Sequence, residues 1–300
     1  MATILELEPT EPGGEENRKG ILFQDHVAAG FYLDMLLGDE ILTVWCEADD
    51  DITLVRKRNG IIVGEFVQVK GRELDQLWSL SLLCRNDPRS SMIEKSLSRD
   101  KYDEEAYFRI VTTSGFNKEI TPLTYPHEHP LRVESTEEMN SIDGALPQSI
   151  RELKSPRGNN YKYWLQRVTL DVRYSIQAEQ NKNLVNLADL LQSLEIYQAP
   201  DQRKVLYLAL VRKAFDAGVS SRVLNPTAKK LTKPDLLLLI RKATETSPIV
   251  PQGTSARFSD AGIPSSAIAH AQDLRLRYSR LKKAASDIRR EKLNELESEV

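Results

Sequence analysis

A tight-turn sequence lies between two β-rich segments and dictates the local topology of this part of the chain. The pair Asn59-Gly60 separates the segment DITLVRK, which starts at Asp51, from the segment IIVGEFVQVKG, which ends at Gly71. Asn-Gly is the strongest short hairpin signal, because both residues tolerate the positive φ angles of a type I′ turn. A further β-rich segment, ILTVWCE at Ile41–Glu47, comes just before. The sequence therefore predicts three consecutive strands, two of them joined as a hairpin.

The patterns on either side of these strands indicate the fold class. Apolar residues recur at spacings near four over residues 20–37, which predicts a helix, and residues 1–18 are interpreted as a loose leader. After the third strand we expect a helix around Leu74–Leu83 and a strand over residues 106–115. The order α-β-β-β-α-β predicts a compact α/β unit with a mixed sheet.

The rest of the chain is expected to change from mixed to helical structure. Residues 121–160 are interpreted as loop with one or two short helices, and residues 161–174 as a strand that closes a first domain, 1–178. A helical region is predicted for 179–247. Residues 248–300 are predicted to be a linker and a long charged helix for assembly or partner docking. Since this helix has no stop signal, we expect the chain to continue beyond residue 300.

The charges are divided unevenly along the chain. Residues 1–150 carry 28 Asp and Glu against 15 Lys and Arg, whereas residues 151–300 carry 16 acidic and 26 basic side chains. An acidic half is suited to divalent cations and a basic half to a polyanion. Two solvated surfaces of opposite sign, attracting a partner or each other, explain the same asymmetry.

Several protein classes are excluded by what the sequence lacks. It has no run of 18 apolar residues and an acidic N-terminus, which argues against a membrane span and a secretory signal. Two cysteines, Cys46 and Cys84, are too few for a disulfide scaffold or a four-cysteine zinc site. The chain has no Walker-type phosphate loop, so any ATP dependence would come from a partner. We expect a soluble, cytoplasmic protein.

The third strand ends in a lysine placed two residues after an amide side chain. Because side chains alternate along a strand, Gln68 and Lys70 lie on the same face. The Gln68 amide oxygen and the Val69 carbonyl are able to bind a hard cation, and Asp51 on the neighbouring strand is placed to add a carboxylate. Lys70 would then position or deprotonate an attacking water. Few carboxylates, oxygen ligands and retained waters suit Mg²⁺.

A purely structural interpretation of the same residues remains open. Gln68 and Lys70 would form a solvated edge of the sheet, and the acids at 49–51 would satisfy backbone donors in a turn. What favours a functional site is the order of three motifs along the chain. They are Gly20-Ile21-Leu22-Phe23-Gln24, then Glu47-Ala48-Asp49-Asp50-Asp51, then Gln68-Val69-Lys70.

In this order the motifs resemble those of a PD-(D/E)XK superfamily nuclease. More narrowly, they are similar to the double-stranded DNA endonuclease domain of bacterial anti-phage systems, including the CD-NTase-associated (CBASS-type) effectors. The resemblance covers residues 18–115 well and extends towards residue 175. It implies a restriction-endonuclease-like core, followed here by an α-helical C-terminal region. It also implies a metal-dependent endonuclease that degrades double-stranded DNA as a defence effector.

The resemblance assigns catalytic or site-lining roles to five side chains: Gln24, Glu47, Asp51, Gln68 and Lys70. Asp51 would bind the metal with Gln68 and the Val69 carbonyl, and Lys70 would be the catalytic lysine. Gln68 replaces the more usual acidic ligand. Because the spacing after Glu47 is one residue longer than in the family pattern, Asp50 is the alternative to Asp51 as the main ligand. The implied cofactor is Mg²⁺, with Mn²⁺ as a substitute.

The resemblance also suggests how such an activity is restrained. The expected partners are double-stranded DNA, further copies of the chain, and an ATPase of the HerA or SMC type. The sequence after residue 180 contains nothing identifiable as a cyclic-oligonucleotide sensor, which favours a separate partner protein. Two rival hypotheses are a catalytically inactive nuclease-like scaffold that binds DNA or an ATPase, and an unrelated α/β protein with a helical adaptor function.

Overall fold

The computed structural model of the chain describes residues 13–86, 89–196 and 198–245. Most of the expected leader and the predicted linker and charged helix at 248–300 lie outside these ranges. The described residues form one compact unit. Its elements in chain order are α1 (Gly13–Leu37), β1 (Ile41–Cys46), β2 (Ile52–Arg58), β3 (Ile61–Lys70), α2 (Leu80–Cys84), α3 (Met92–Leu97), β4 (Glu105–Thr112), α4 (Pro130–Glu134), α5 (Thr136–Ala145), α6 (Gln148–Arg151), α7 (Tyr161–Arg167), β5 (Val168–Val172), α8 (Ile176–Ser193), α9 (Pro200–Val219), β6 (Lys230–Thr232) and α10 (Lys233–Glu245). Short 3₁₀ helices occur at Lys118–Thr124 and Pro226–Lys229.

The strands form one six-stranded mixed sheet in the order β5-β4-β3-β2-β1-β6. Strands β1, β2 and β3 pair antiparallel, whereas β3, β4 and β5 pair parallel. The short strand β6 adds antiparallel to the outer edge of β1, with Thr43 opposite Thr232. The predicted α/β fold with a mixed sheet is therefore confirmed, and the sequence pattern did not indicate β6.

The hairpin turn has the backbone geometry that its sequence predicts. Asn59 has a φ of 47° and Gly60 a φ of 84°, so both residues lie in the left-handed region. Arg58 faces Ile61 across the turn, and the pairing continues from there to Ile52 and Val67. The turn thereby fixes which residues of β2 and β3 lie side by side.

Helices cover the two faces of the sheet unequally. Helix α1 lies on one face, where Phe23, Val27 and Met35 are buried in a core shared with β1–β3, α8 and α9. On the other face, α2, α3 and α7 build a second core whose strand residues come from β3, β4 and β5. Within the part of the chain that the structure describes, β1 and β2 contribute nothing to that second core.

A chain of ion pairs crosses the sheet beneath α1. Glu65 on β3 contacts Arg56 of β2 at 2.5 Å and Arg109 of β4 at 2.7 Å. This series of ion pairs continues from Arg109 to Asp171 of β5 at 3.1 Å, from Asp171 to Arg173 at 3.0 Å, and from Arg173 to Glu179 of α8 at 2.5 Å. We call these six residues the ion ladder. It links four strands to a helix, because each charge has a counter-charge on the next element.

Several sequence-based boundaries differ from the structure. Helix α1 begins at Gly13, so residues 13–18 are helical rather than part of a loose leader. The helix expected at Leu74–Leu83 is the short α2, which starts after Ser79. The Ser79 side chain accepts a hydrogen bond from the Leu82 N–H and so caps the first turn of this helix. Residues 121–160 hold three short α-helices and part of a 3₁₀ helix, more than the one or two expected.

The segment 161–174, expected to be one strand, is divided between two elements. Its first half forms α7, because Asn160 accepts a hydrogen bond from the Lys162 N–H at 3.1 Å and caps the helix. Its second half is β5. Aromatic residues at 161–164 favour a strand locally, and their burial in the second core overrides that preference.

No helix within the described residues is long and apolar enough to cross a membrane.

Replacing Gly30 with alanine is expected to destabilise the protein by about 1–3 kcal/mol through overpacking. Gly30 lies in α1 against α8, and a Cβ there would lie 2.7 Å from Glu179 Oε1 and 3.0 Å from Asn183 Oδ1. Both acceptor side chains are buried. The matched control is Gly144→Ala in α5, where a Cβ meets nothing within 4 Å and helix propensity predicts a gain of up to about 1 kcal/mol. Urea unfolding measures both, and equal stabilisation by both variants would contradict the close packing.

Candidate active site

The register of the hairpin brings the start of β2 beside the end of β3. Ile52 faces Val67, so Asp51 lies next to the segment Gln68–Lys70. Asp51 Oδ2 accepts a hydrogen bond from the Val69 N–H at 2.7 Å and lies 3.7 Å from Lys70 Nζ. The structure thus places Asp51, Gln68, Val69 and Lys70 together. The backbone group of Val69 that contacts Asp51 is its N–H.

A compact turn connects β1 to β2 and orients the acidic residues. The Glu47 N–H donates to the Asp51 carbonyl at 2.9 Å, and Glu47 has a φ of 51°. Inside this turn the Asp51 N–H donates to Asp50 Oδ1 at 3.1 Å. A positive φ at a glutamate is costly, so the surrounding contacts must hold this turn in place.

Helix α1 contributes a third side of the site. Gln24 Nε2 donates to Glu47 Oε1 at 2.7 Å and to the Asp51 carbonyl at 3.3 Å. The structure therefore brings Gln24 and Glu47 to the same turn as Asp51. Next to them, burial and the charge of Glu47 raise the pKa of Asp25 to about 7. Two more acidic groups therefore lie next to this turn, a buried one at Asp25 and an exposed one at Glu47.

Two buried oxygen atoms of the site lack a hydrogen-bond donor among the described residues. They are Gln68 Oε1 and Asp50 Oδ2. The residue Gln68 is 3% exposed, and the residue Asp50 is 9% exposed. Gln68 Nε2 donates to Ser96 Oγ at 3.3 Å. Arg99 Nε lies 3.5 Å from Asp50 Oδ2. Buried acceptors without donors are rare in proteins and need an explanation such as a bound ion.

The electrostatics of Asp50 fit the same interpretation. Burial and the neighbouring charge of Asp51 raise the pKa of Asp50 to about 7, and the Arg99 guanidinium offsets this only in part. A positive charge bound nearby would reverse the effect, because it favours the ionised carboxylate. Asp49 is engaged elsewhere: it accepts from Lys101 Nζ at 2.6 Å and from the Tyr102 hydroxyl.

Ser96 and Arg99 are site residues that the sequence patterns did not single out. Both come from α3 and the turn after it, between the expected helix at Leu74–Leu83 and the expected strand at 106–115. A signal for that helix was present, since Ser91 and Glu94 have the spacing of a capping box, and the Ser91 hydroxyl accepts from the Glu94 N–H at 3.0 Å. Their proximity to Gln68 and Asp50 could not be inferred, because β4 and the sheet register bring the segments together.

The donors available in the described residues are suited to a hard cation. No group of three or more His, Cys, Asp or Glu side chains able to hold a metal occurs there. Asp50, Asp51 and Gln68 offer a mixed set of carboxylate and amide oxygens, which Mg²⁺ accepts with retained waters. His127 and His129 lie just before α4, and His129 Nδ1 accepts from the Leu131 N–H to cap that helix.

Comparisons with known proteins agree with the motifs. Residues 12–218 match a family model described as "Cap4, dsDNA endonuclease domain". Anti-bacteriophage protein A of Escherichia coli (strain K12) is 27% identical over 256 residues, which is 80% of this chain and 45% of that protein. The chain therefore spans less than half the length of this relative.

Solved structures with similar folds are also partial matches. The Acinetobacter baumannii Cap4 SAVED/CARF-domain containing receptor with the cyclic trinucleotide 3'3'3'-cAAA has a TM-score of 0.49 and 15% identity, covering 75% of this chain and 45% of the receptor. The Moraxella osloensis Cap4 SAVED/CARF-domain containing receptor has a TM-score of 0.45 and 13% identity, covering 77% of this chain and 48% of the receptor.

Proposed function

The chain belongs to the family of the Cap4 dsDNA endonuclease domain, and we propose that it hydrolyses double-stranded DNA in a metal-dependent reaction. The observation that carries the metal dependence is the pair of buried oxygens without donors, Gln68 Oε1 and Asp50 Oδ2, beside the Asp51–Lys70 ion pair. Among the described residues Gln68 Oε1 has no donor and Asp50 Oδ2 has only the long Arg99 contact at 3.5 Å, so a bound cation would satisfy both atoms.

Three side chains would hold the cation. Asp50 and Asp51 provide carboxylate oxygens and Gln68 provides its amide oxygen, while Val69 holds one Asp51 oxygen through its N–H. The cation, Mg²⁺ with Mn²⁺ as a substitute, would neutralise charge on the phosphate and promote ionisation of a water. Gln24 and Glu47 support the turn that presents the carboxylates.

Lys70 is the group that would act on the attacking water. Its ammonium lies 3.7 Å from Asp51 Oδ2 and is 41% exposed, so it borders the carboxylates and remains open to substrate. From this position it orients the water and stabilises negative charge on the phosphoryl oxygens. Asp51 in turn keeps the lysine side chain directed at the site.

Plasmid cleavage tests the proposal. Purified protein is incubated with supercoiled plasmid in Mg²⁺, in Mn²⁺ and in EDTA, and nicked and linear products are followed on a gel. We expect cutting with either cation and none with EDTA. Asp51→Asn should abolish cutting, and Asp189→Asn, at an exposed position of α8, is the matched control. Cutting in EDTA would contradict the metal dependence. If the wild-type protein binds DNA but does not cut it in any condition, even when it is activated, the result would favour the scaffold hypothesis.

Metal binding should strengthen as the pH rises through about 7. Cations bind the ionised carboxylate, and Asp50 has a pKa raised to about 7, so protons compete with the metal below that value. We expect the apparent affinity for Mg²⁺ to increase by about tenfold between pH 6 and pH 8. Titration calorimetry at both pH values measures this, and Asp50→Asn should remove most of the difference. Equal affinities in the wild-type protein would show that Asp50 does not bind the cation.

We further propose that the nuclease serves in cytoplasmic anti-phage defence and is activated by assembly or by a separate partner. The similarity to Anti-bacteriophage protein A of E. coli supports the role in anti-phage defence. The proposed partners are further copies of the chain or an ATPase of the HerA or SMC type. Cleavage should then increase on adding the ATPase with ATP. Stimulation by the cyclic trinucleotide alone, the ligand of the Acinetobacter receptor, would overturn the separate-partner proposal.

A further inference from the structure

A hollow of about 300 Å³ opens on the sheet face that α2, α3 and α7 leave uncovered. The strand register explains it. Trp45 of β1 faces Thr53 of β2, and Thr53 faces Phe66 of β3, so a short side chain lies between two large rings in one row. Gly64, two residues before Phe66, deepens the hollow: a Cβ there would lie 3.3 Å from the Phe66 ring.

The walls of the hollow are mainly aromatic. Tyr102 is 44% exposed, and its ring lies nearly parallel to that of Phe66, at 10° and a centroid distance of 6.2 Å. Trp45 is half-buried, and Lys230 lies over its outer side at 5.6 Å. These rings offer flat faces to a planar guest, and each is held by a contact with a neighbour.

The hollow also contains an unsatisfied polar group. Thr53 lines it, and its Oγ1 is buried and has no hydrogen-bond partner in the described residues. A hydroxyl both donates and accepts, so it is suited to the edge of a heterocycle. Glu104, an exposed residue that also lines the hollow, adds an acceptor for amino groups. An aliphatic side chain from a partner protein would use none of these polar atoms.

The hollow adjoins the candidate active site. Phe66 and Gln68 lie on the same face of β3 two residues apart, which is about 7 Å along a strand. Asp49 in the wall directly precedes Asp50 in the site. Lys101, which binds Asp49, and Lys230, over Trp45, place positive charge on two sides of the opening. A nucleotide whose phosphate reached the site would bring its base, or that of its neighbour, within reach of the rings.

We infer that the hollow binds one unstacked base of the DNA strand that is being cut. This inference rests on the proposed nuclease function and specifies its substrate: DNA in which a base near the cleavage position is unpaired or easily extruded. The base stacks against Trp45 and Tyr102, and Thr53 bonds to its edge. Duplexes with a mismatch or a bulge near the cut are therefore cleaved faster than perfectly paired duplexes.

The test uses the fluorescent base 2-aminopurine, whose emission falls when it stacks on an aromatic ring. The full chain in EDTA, which prevents cutting, is titrated into duplexes carrying 2-aminopurine either at a bulge or fully paired. We expect saturable quenching of the bulged base. Tyr102→Ala and Trp45→Ala should weaken binding of the bulged duplex by about tenfold. Thr53→Val, nearly isosteric, should weaken it less and leave the fold intact. Tyr174→Ala, another exposed tyrosine outside the hollow, is the control.

The outcomes separate this inference from the proposed function. One outcome is metal-dependent cleavage without quenching, or with quenching that is the same in all variants and the wild type. This outcome would support the proposed nuclease activity and overturn the base site. Quenching that depends on Tyr102 and Thr53 supports the base site even if no condition yields cleavage, in which case the proposed hydrolysis fails. A hollow that binds apolar peptides but leaves 2-aminopurine unquenched would also overturn the inference.

Discussion

Replacing Lys70 with alanine is expected to lower the rate of plasmid cleavage by about 10²- to 10⁴-fold, the usual contribution of a positioned acid–base group. The residue ends β3 with its ammonium 3.7 Å from Asp51 Oδ2 and partly open to solvent. Alanine removes the charge and the hydrogen-bond donors but leaves the strand pairing intact. DNA binding measured in EDTA should change much less than the cleavage rate.

Two further variants show what the lysine contributes. Lys57→Ala is the matched control, because Lys57 is exposed near the other end of β2, about 20 Å along the strand from Asp51. Lys70→Arg keeps the positive charge but has a group that does not lose its proton. If Lys70→Arg retains activity, the lysine acts by stabilising charge. If Lys70→Arg loses activity, the lysine acts by transferring a proton. Wild-type cleavage by Lys70→Ala would remove Lys70 from the mechanism altogether.

Replacing Glu65 with alanine should destabilise the protein by about 3–5 kcal/mol, because it leaves two arginines of the ion ladder without their shared partner. Glu65 accepts from Arg56 at 2.5 Å and from Arg109 at 2.7–2.8 Å while itself only 5% exposed. Burial alone would raise the pKa of Glu65, but the charges of Arg109 and Arg56 hold it below its ordinary value. The ionised form therefore stabilises the native state.

Thermal unfolding at several pH values measures this effect. A folded-state pKa below the unfolded value gives stability that is present above the unfolded pKa and is lost as the pH falls through the folded pKa. The difference between the wild-type protein and Glu65→Ala should therefore be largest near neutral pH and shrink in acid. Glu128→Ala is the control, since Glu128 is exposed and its contacts are long, at 3.7 Å to Arg58 and 3.3 Å to Asn59 and His127. Equal, small losses for both variants would show that the ladder contributes little.

Local signals in the sequence were sufficient for the first half of the fold. The helix before the strands, the three strands and the Asn59-Gly60 turn each depend on neighbouring residues, and the structure contains all of them. What could not be predicted depends on distant contacts. Strand β6 has only three residues and exists because β1 offers it an edge. The ion ladder joins residues as far apart as Arg56 and Glu179, and no periodicity relates them.

The candidate site shows the same division. The grouping of Asp51 with Gln68 and Lys70 follows from the hairpin register, which the turn determines, so the sequence was able to indicate it. The positions of Ser96 and Arg99 follow from how α3 and the strand β4 return to the sheet. The choice between Asp50 and Asp51 likewise depends on tertiary burial: Asp50 is turned towards Gln68 and Arg99, and Asp51 towards Val69 and Lys70.

The pairing of β1 with β6 has a consequence for synthesis of the protein on the ribosome. Thr43 meets its partner Thr232 only after roughly 190 more residues have been made, which takes about 10–40 s at ordinary elongation rates. During that interval the sheet has β1 as an open edge, and an open edge is a template for pairing with another chain. Nascent chains crowded on one messenger are therefore most prone to associate through β1, and completion of β6 ends that exposure.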